Sequence, residues 1–406
     1  LINIIVVNFR KQIRDIVFGG FFDIVIGNPP YGVSIKGDYR MKVLKILGKV
    51  PDFEIYYYFI EVAKIFLKGN GIKSYIIPNT FLFNVFASEY RKKLLIEWNV
   101  KIMDCTAFKI FEGATVYNAI TFFSKANSCK YLEYKITQNA VNFQQLIKNK
   151  TVKITVDKIL KNNQNWCLVF KLDKNVLELI LKIRENSNKL SDYFPEFSQG
   201  LIAYDRYQGQ SEETIKNRIF HYKSKEKDDL KKWLWGSDVT KYTVNWNGEE
   251  WLDYCDKIAN PRNPKFFKGE RLLIREITNP SIFCGLATEE LYHDPANIVI
   301  LKGNKYDLKT LLAIMNSKIA TFYHFNSSPK ATKGAFPKIL VEDIKNFPIP
   351  IVSKEIEQQI IHIINEIIKD KKLTSSSDTS ELENEIDKLV YDLYKLDDDE
   401  ISIIEK

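Results

Sequence analysis

Asn28-Pro29-Pro30-Tyr31 follows directly on Phe21-Phe22-Asp23-Ile24-Val25-Ile26-Gly27, and this junction constrains the fold more than any other stretch of the chain. A short apolar run closed by glycine and two prolines is the pattern of a buried parallel strand whose carboxyl end opens into a loop. Two consecutive prolines fix φ and remove two backbone donors, so the loop is stiff and its carbonyls are free to face a ligand. Ligands of open α/β sheets bind at that edge.

The residues downstream keep the same grammar. Residues 52–67 carry apolar side chains at helical spacing (Ile55, Phe59, Val62, Ala63, Phe66), and Lys68-Gly69-Asn70-Gly71 is expected to stop that helix. Strands are expected at 72–77, 100–104 and 116–123, with a helix at 87–98 between the first two. Alternation of this kind implies an α/β domain with a mainly parallel sheet. Beyond about residue 127 the composition shifts. Residues 140–190 are rich in Lys, Asn and Gln and read as a connector with helical segments. The stretch 190–350 is aromatic and turn-rich, and Trp233, Trp235, Trp246 and Trp251 cluster there, an expected core group. Two helices are expected at 353–373 and 381–396, joined by a polar linker. A chain of 406 residues suits two or three domains. We place the boundaries at 1–135, 136–190, 191–350 and 351–406.

Composition excludes more than it selects. A net charge of +8 and a pI near 8.9 favour a polyanionic partner only mildly. Cys105, Cys129, Cys167, Cys255 and Cys284 are scattered, with no CxxC spacing, which fits reduced thiols in a cytoplasmic protein. His221, His293, His324 and His362 lack metal-ligand spacing. No apolar run approaches the roughly 20 residues that span a bilayer, and no signal-peptide order is present. The chain starts at Leu1 and runs at once into an apolar stretch, so we expect a fragment or a late-starting gene model.

Every part of Asn28-Pro29-Pro30-Tyr31 has a use in one chemistry. An Asn side-chain oxygen and a proline carbonyl can accept both hydrogens of an exocyclic amino group. Accepting them keeps the nitrogen lone pair out of the ring and makes the amine a better nucleophile toward a sulfonium methyl group held in line. The Tyr ring can stack on the base plane. A base inside a duplex is out of reach and must be flipped out, at a cost of a few kcal/mol. The plain alternative is a proline-rich turn with a capping Asn and a packing Tyr; the preceding strand favours the ligand site.

These residues resemble the amino-methylating DNA methyltransferases, specifically the gamma-class adenine-N6 branch of type IIG restriction–modification enzymes. The likeness runs from about residue 20 to the end of the chain. A strand ending in "IPN" matches Tyr75-Ile76-Ile77-Pro78-Asn79-Thr80-Phe81-Leu82, and a further segment matches Phe111-Glu112-Gly113-Ala114-Thr115-Val116-Tyr117-Asn118-Ala119-Ile120. The resemblance implies a partial class I methyltransferase (Rossmann-like) α/β sheet, then a mixed α+β target-recognition domain and C-terminal helices. It implies Asn28, Pro29, Pro30 and Tyr31 as catalytic residues, with Tyr31 and Phe111 stacking on the flipped adenine. It also implies S-adenosylmethionine as methyl donor, double-stranded DNA as partner and no metal for the transfer.

One departure stands out. The family binds its donor through a glycine-rich F-x-G-x-G loop and a nearby acidic residue, and no F-x-G-x-G occurs here. Gly69-Asn70-Gly71 has the spacing but is expected to follow a helix. Of the cofactor-binding residues only Asn28 is expected in this chain. An N-terminal half carrying the cofactor loop, with or without a nuclease, is the implied companion on the same or an adjacent polypeptide. No PD…(D/E)xK nuclease constellation is present.

Within 191–350, Phe336-Pro337-Lys338-Ile339, Asn346-Phe347-Pro348-Ile349-Pro350-Ile351 and Leu311-Leu312-Ala313-Ile314-Met315-Asn316-Ser317-Lys318 resemble the family's target-recognition domain. Leu389-Val390-Tyr391-Asp392-Leu393-Tyr394-Lys395-Leu396 resembles its last helix. Basic residues interleaved with aromatics, or in a polar loop, give the DNA-contact candidates Arg206, Lys231, Lys232, Arg271, Arg275, Lys330 and Lys333. Two other readings stay open: a DNA-specificity module with an inactive catalytic half, and a protein-glutamine N-methyltransferase, whose side-chain amide presents the same NH2 geometry.

Overall fold

The computed structural model describes residues 4–6, 22–35, 37–51, 54–111, 116–125, 131–135, 137, 140–161, 165–328, 331, 337–374 and 377–406. The chain divides into two compact units, Leu1–Leu172 and Asp173–Lys406. The segment expected as a connector, 136–190, is therefore split between them.

The first unit is a seven-stranded sheet in the order β1-β2-β3-β5-β4-β6-β7. Its strands are β1 (Ile4–Val6), β2 (Phe22–Gly27), β3 (Leu67–Pro78), β4 (Trp98–Asp104), β5 (Asn118–Lys125), β6 (Tyr131–Lys135) and β7 (Thr151–Thr155). Strands β1, β2 and β3 run parallel, and β5 inserts antiparallel between β3 and β4. Helices α1 (Gly37–Leu47), α2 (Tyr56–Phe66) and α3 (Ser88–Glu97) lie in the crossovers; α4 (Phe143–Lys148), α5 (Val156–Leu160) and α6 (Trp166–Lys171) follow β6. The glycines of Lys68-Gly69-Asn70-Gly71 do not form a helix-terminating turn. They belong to β3, where its pairing with β2 slips between Phe22 and Ile24. A side chain at Gly71 would lie 3.1 Å from the Asp23 carbonyl, which explains a small residue there.

Alternation along the central strands separates two faces of this sheet. Val25, Lys73, Tyr75, Ile77, Val100, Ile102, Ala119, Thr121 and Phe123 are buried together on one. Lys73 is fully buried among them, its Nζ 2.8 Å from the Ile60 carbonyl and 3.9 Å from the centre of the Trp98 ring. Burial pulls its ammonium down to about 7. The other face leaves Ile26 and Ile72 exposed and, with α4, borders an open groove of about 880 Å³ lined by Asn99, Lys101, Phe122 and Ser124 among others.

The second unit holds a five-stranded sheet in the order β12-β15-β14-β17-β9. These strands are β9 (Phe197–Gln199), β12 (Tyr242–Thr243), β14 (Arg271–Arg275), β15 (Cys284–Ala287) and β17 (Asn297–Leu301). A four-stranded sheet joins β10 (His221–Tyr222), β13 (Trp251–Leu252), β11 (Lys231–Leu234) and β16 (Tyr292–His293), and β8 (Ser187–Lys189) pairs β18 (Pro348–Pro350). Trp233 is buried in a cluster with Leu201, Phe220 and Phe267, and Trp246 packs beside Leu234 and Val299. The expected tryptophan group is thus a core group.

The helices of this unit are α7 (Lys174–Glu185), α8 (Leu190–Tyr193), α9 (Glu212–Lys216), α10 (Leu308–Asn316), α11 (Lys318–Ser327), α12 (Val341–Lys345), α13 (Lys354–Leu373), α14 (Ser380–Leu393) and α15 (Asp398–Ile404). Side chains of the family-like stretches tie them down. Asn316 donates to the Cys284 carbonyl at 2.8 Å and accepts from the Cys284 amide at 3.1 Å, fixing α10 to β15. Asp387 of α14 accepts the Lys318 amide at the start of α11, and the Tyr394 hydroxyl donates to the Pro348 carbonyl of β18.

Candidate active site

The loop that leaves β2 begins at Gly27, where an added Cβ would come within 3.2 Å of the Tyr75 ring. Next come Asn28, exposed, and Pro29, buried. Because β5 runs antiparallel, its first residue, Asn118, lies opposite Pro78 at the end of β3, beside the carboxyl end of β2. The carboxyl ends of β2 and β3 and the amino end of β5 therefore meet at one edge. Asp104 closes the row at the end of β4. It is fully buried and accepts from the Thr106 amide.

Tyr31 ties this edge together. Its hydroxyl lies 2.8 Å from Asn28 Oδ1 and 2.9 Å from the Ile76 carbonyl, and accepts from Asn118 Nδ2 at 3.3 Å. Burial pushes this hydroxyl up to about 12 against the opposing Asn118 hydrogen bond, so it stays a protonated donor at neutral pH. One proton serves two acceptors in turn, which pins the ring and turns the Asn28 carboxamide oxygen toward it. That oxygen retains a second lone pair for a ligand donor. The next residue, Gly32, has φ +70° and donates its amide to Glu54 Oε2 at 2.9 Å; the Ile55 amide donates to the Val33 carbonyl. Both bonds anchor the far end of the loop ahead of α2.

The segment after β3 is fixed from beneath. Arg91 of α3, fully buried, donates to the Phe81 carbonyl at 3.0 Å and the Asn84 carbonyl at 2.8 Å, while the Asn79 amide donates to the Tyr117 carbonyl. The edge thus presents an exposed carboxamide on a backbone held at both ends, which suits recognition of an amino group by two acceptors.

Phe111 is 37% exposed, and among the described residues no ring contact joins it to Tyr31. Asn118, a motif position with no role expected from the sequence, bonds to Tyr31 and so joins two distant motif segments. Among the described residues no group of three or more His, Cys, Asp or Glu side chains could hold a metal ion, and no helix is long and apolar enough to cross a membrane. The sequence carries no F-x-G-x-G loop, and of the cofactor-binding residues expected from it only Asn28 lies at this edge.

The basic candidates of the second unit separate by environment. Arg271, expected from the sequence to contact DNA, is instead fully buried on the central strand β14. It donates to the carbonyls of Gly269, Glu289 and Leu291 at 2.8, 2.9 and 3.2 Å, and burial pulls it down to about 10. An extended polar chain between core strands takes its planar donors to backbone acceptors instead of to solvent. Lys231 pairs with Glu290 at 3.3 Å, and Lys232 with Glu289 at 2.5 Å, so each carries a carboxylate beside its charge. Arg275 is half-buried over the Phe283 ring. Arg206 is exposed. Lys330 and Lys333 lie outside the described residues.

Two family models match the chain, one in each unit. Residues 5–111 match the Eco57I restriction-modification methylase, and residues 231–349 match the TaqI-like C-terminal specificity domain. A Methanocaldococcus jannaschii protein that carries the name of a type II restriction enzyme and methyltransferase, RM.MjaORFECS2P, is 26% identical over 393 residues. That alignment covers 92% of this chain and 31% of the relative, so the chain spans about a third of that protein's length. The type II restriction enzyme and methyltransferase RM.Eco57I of Escherichia coli is 28% identical over 123 residues, covering 28% of this chain and 12% of its own. In fold, the chain is similar to the type IIL restriction-modification enzyme MmeI, solved in complex with DNA. The TM-score is 0.55 at 14% identity, over 94% of this chain and 56% of that one.

Proposed function

We propose, from the premise that this chain joins an Eco57I-type restriction–modification methylase segment to a TaqI-like specificity domain, that it methylates adenine at N6 in duplex DNA within a restriction–modification system of the cytoplasm. The observation that carries the reading is the exposed Asn28 carboxamide at the carboxyl edge of the sheet, with its oxygen oriented by Tyr31. An adenine flipped to this edge would give its two amino hydrogens to Asn28 Oδ1 and a proline carbonyl of the loop. Both acceptors localise the lone pair on N6 and raise its nucleophilicity. The half-buried ring of Tyr31 offers a flat surface to the base, and Phe111 a second one. S-adenosylmethionine, when bound, supplies the methyl group as an electrophilic sulfonium. Its glycine-rich cradle is to come from a companion half, on the same or another polypeptide.

The missing glycine-rich loop favours a second reading, a DNA-specificity module with a silent catalytic edge. A protein-glutamine methyltransferase would share the Asn28 chemistry, but the 234-residue second unit is far larger than a side-chain amide substrate needs. One assay separates the three: the full natural polypeptide is given labelled S-adenosylmethionine with duplex DNA or with a glutamine-bearing protein. Label on adenine supports the proposal. DNA binding without transfer supports the specificity module, and label on cytosine or on protein overturns the adenine reading.

A further inference from the structure

Tyr207 is 83% exposed, more than any other large hydrophobic side chain among the described residues of the second unit, yet its backbone is held on every side. It sits at the tip of a tight 3-10 turn, Arg206–Gln208, between Asp205 and Gly209. The Asp205 carboxylate accepts the Tyr207 amide at 2.8 Å, and Gly209 closes the turn at φ +84°, which only a residue without Cβ adopts freely. Gln210 locks the base of the turn. Its side chain accepts the Asp205 amide and donates to the carbonyls of Ala203 and Lys257.

Below the turn, Ile202 exchanges backbone hydrogen bonds with Asn260, and Tyr204 stacks on Phe220 at a ring separation of 5.4 Å. The Tyr204 hydroxyl meets His221 Nδ1 at 2.7 Å and accepts the Phe220 amide. A finger rooted in the core thus displays one aromatic ring and one cation. Arg206 lies 5.1 Å from the Tyr207 ring centre and donates to its hydroxyl at 3.2 Å.

A single exposed aromatic on a mobile loop needs no explanation. One held on an over-determined turn does, since the ordering entropy of a contact is then spent before any partner arrives. We propose that Arg206 and Tyr207 form a pre-organised DNA-contacting finger in which Tyr207 stacks on the face of an unstacked base while Arg206 contacts a phosphate. This rests on the DNA-methyltransferase reading and deepens it. Stacking explains the ring, because every base offers a π-face. The cation beside it explains the choice of a polyanion over an apolar partner.

The test is binding of the full polypeptide to a mixed-sequence duplex and to the same duplex carrying one unpaired adenine, over a range of salt. Tyr207→Ala is expected to weaken binding about tenfold, with the greater loss on the duplex carrying the unpaired base. Tyr207→Trp is expected to retain it, and Arg206→Ala to lower the salt slope by about one. Wild-type affinity of Tyr207→Ala for both duplexes would overturn the finger while leaving the methyltransferase reading intact. Failure of the unmodified protein to bind either duplex would overturn both. A circular dichroism spectrum unchanged in each variant separates loss of contact from loss of fold.

Discussion

Family-like stretches in the two units serve opposite ends. In the first, Asn28 to Tyr31 puts a carboxamide in solvent and spends its hydrogen bonds on aiming it. In the second, Asn316, Pro348 and Tyr394 are struts, each joining one element to another out of reach of any ligand. A reactive edge needs particular atoms at one place. A recognition scaffold needs only a rigid frame, and its contacts can vary on top. Basic residues obey the same division: Arg271 holds three carbonyls inside the scaffold, whereas Arg206 stands outside it.

The comparison breaks first at Arg271. Arg271→Met leaves three buried carbonyls short of a donor and should destabilise the second unit by about 3 kcal/mol, read by urea unfolding, while the folded fraction keeps its DNA affinity. Weakened DNA binding at unchanged stability would return this arginine to the interface.

Lys73 extends the same division to the first unit. Its folded value near 7 lies below the ordinary 10.5, so between those values the unfolded chain holds a proton that the folded one does not. Stability therefore rises with pH across that window, by up to about 1.4 kcal/mol per unit, and is lowest below it, where the buried lysine is charged. Lys73→Met should flatten the profile in denaturant melts taken from pH 6 to pH 10 (about the span of the shift). An unchanged slope in that variant would assign the dependence to other groups.

Smaller effects sharpen the catalytic side. Tyr31→Phe removes the hydroxyl that orients Asn28, worth about 1 kcal/mol or about fivefold in single-turnover methyl transfer. DNA affinity should stay as it was, because the ring remains; equal losses in rate and affinity would make Tyr31 a binding residue and not a positioning one. Smallest of all, Lys231→Ala and Lys232→Ala should each change DNA affinity by less than about threefold, since Glu290 and Glu289 already sit on their charges. A drop in the salt slope would show those pairs opening onto phosphate.

Much of this was legible in the residues. Alternating apolar strands and helical spacing give β2 to β5 of the first sheet, because a buried face alternating with a more exposed one leaves a plain periodic pattern. Strands β6 and β7 were not legible: Tyr131–Lys135 and Thr151–Thr155 are short, lysine-bearing and near the sheet edge, where exposure erases the apolar signal. Gly69 and Gly71 misled for a physical reason, since glycine marks a bulge as readily as a helix end. At the candidate site, Asn28 and Tyr31 stand out in the sequence from their residue types after an apolar strand and from the family resemblance. Asn118 acquires its role only from the antiparallel return of β5, a tertiary relation that no local pattern encodes. Arg271 shows the converse, because a basic residue beside aromatics reads alike whether it faces a phosphate or a ring of carbonyls.

The central claim is that the Asn28 carboxamide activates an amino group presented at the sheet edge. Its most direct test is single-turnover transfer of labelled methyl to duplex DNA by the full natural polypeptide and by its Asn28→Ala variant, with DNA affinity measured alongside. The account predicts label on adenine with the unmodified protein, and loss of transfer at retained DNA affinity with the variant. Undiminished transfer by Asn28→Ala would contradict it.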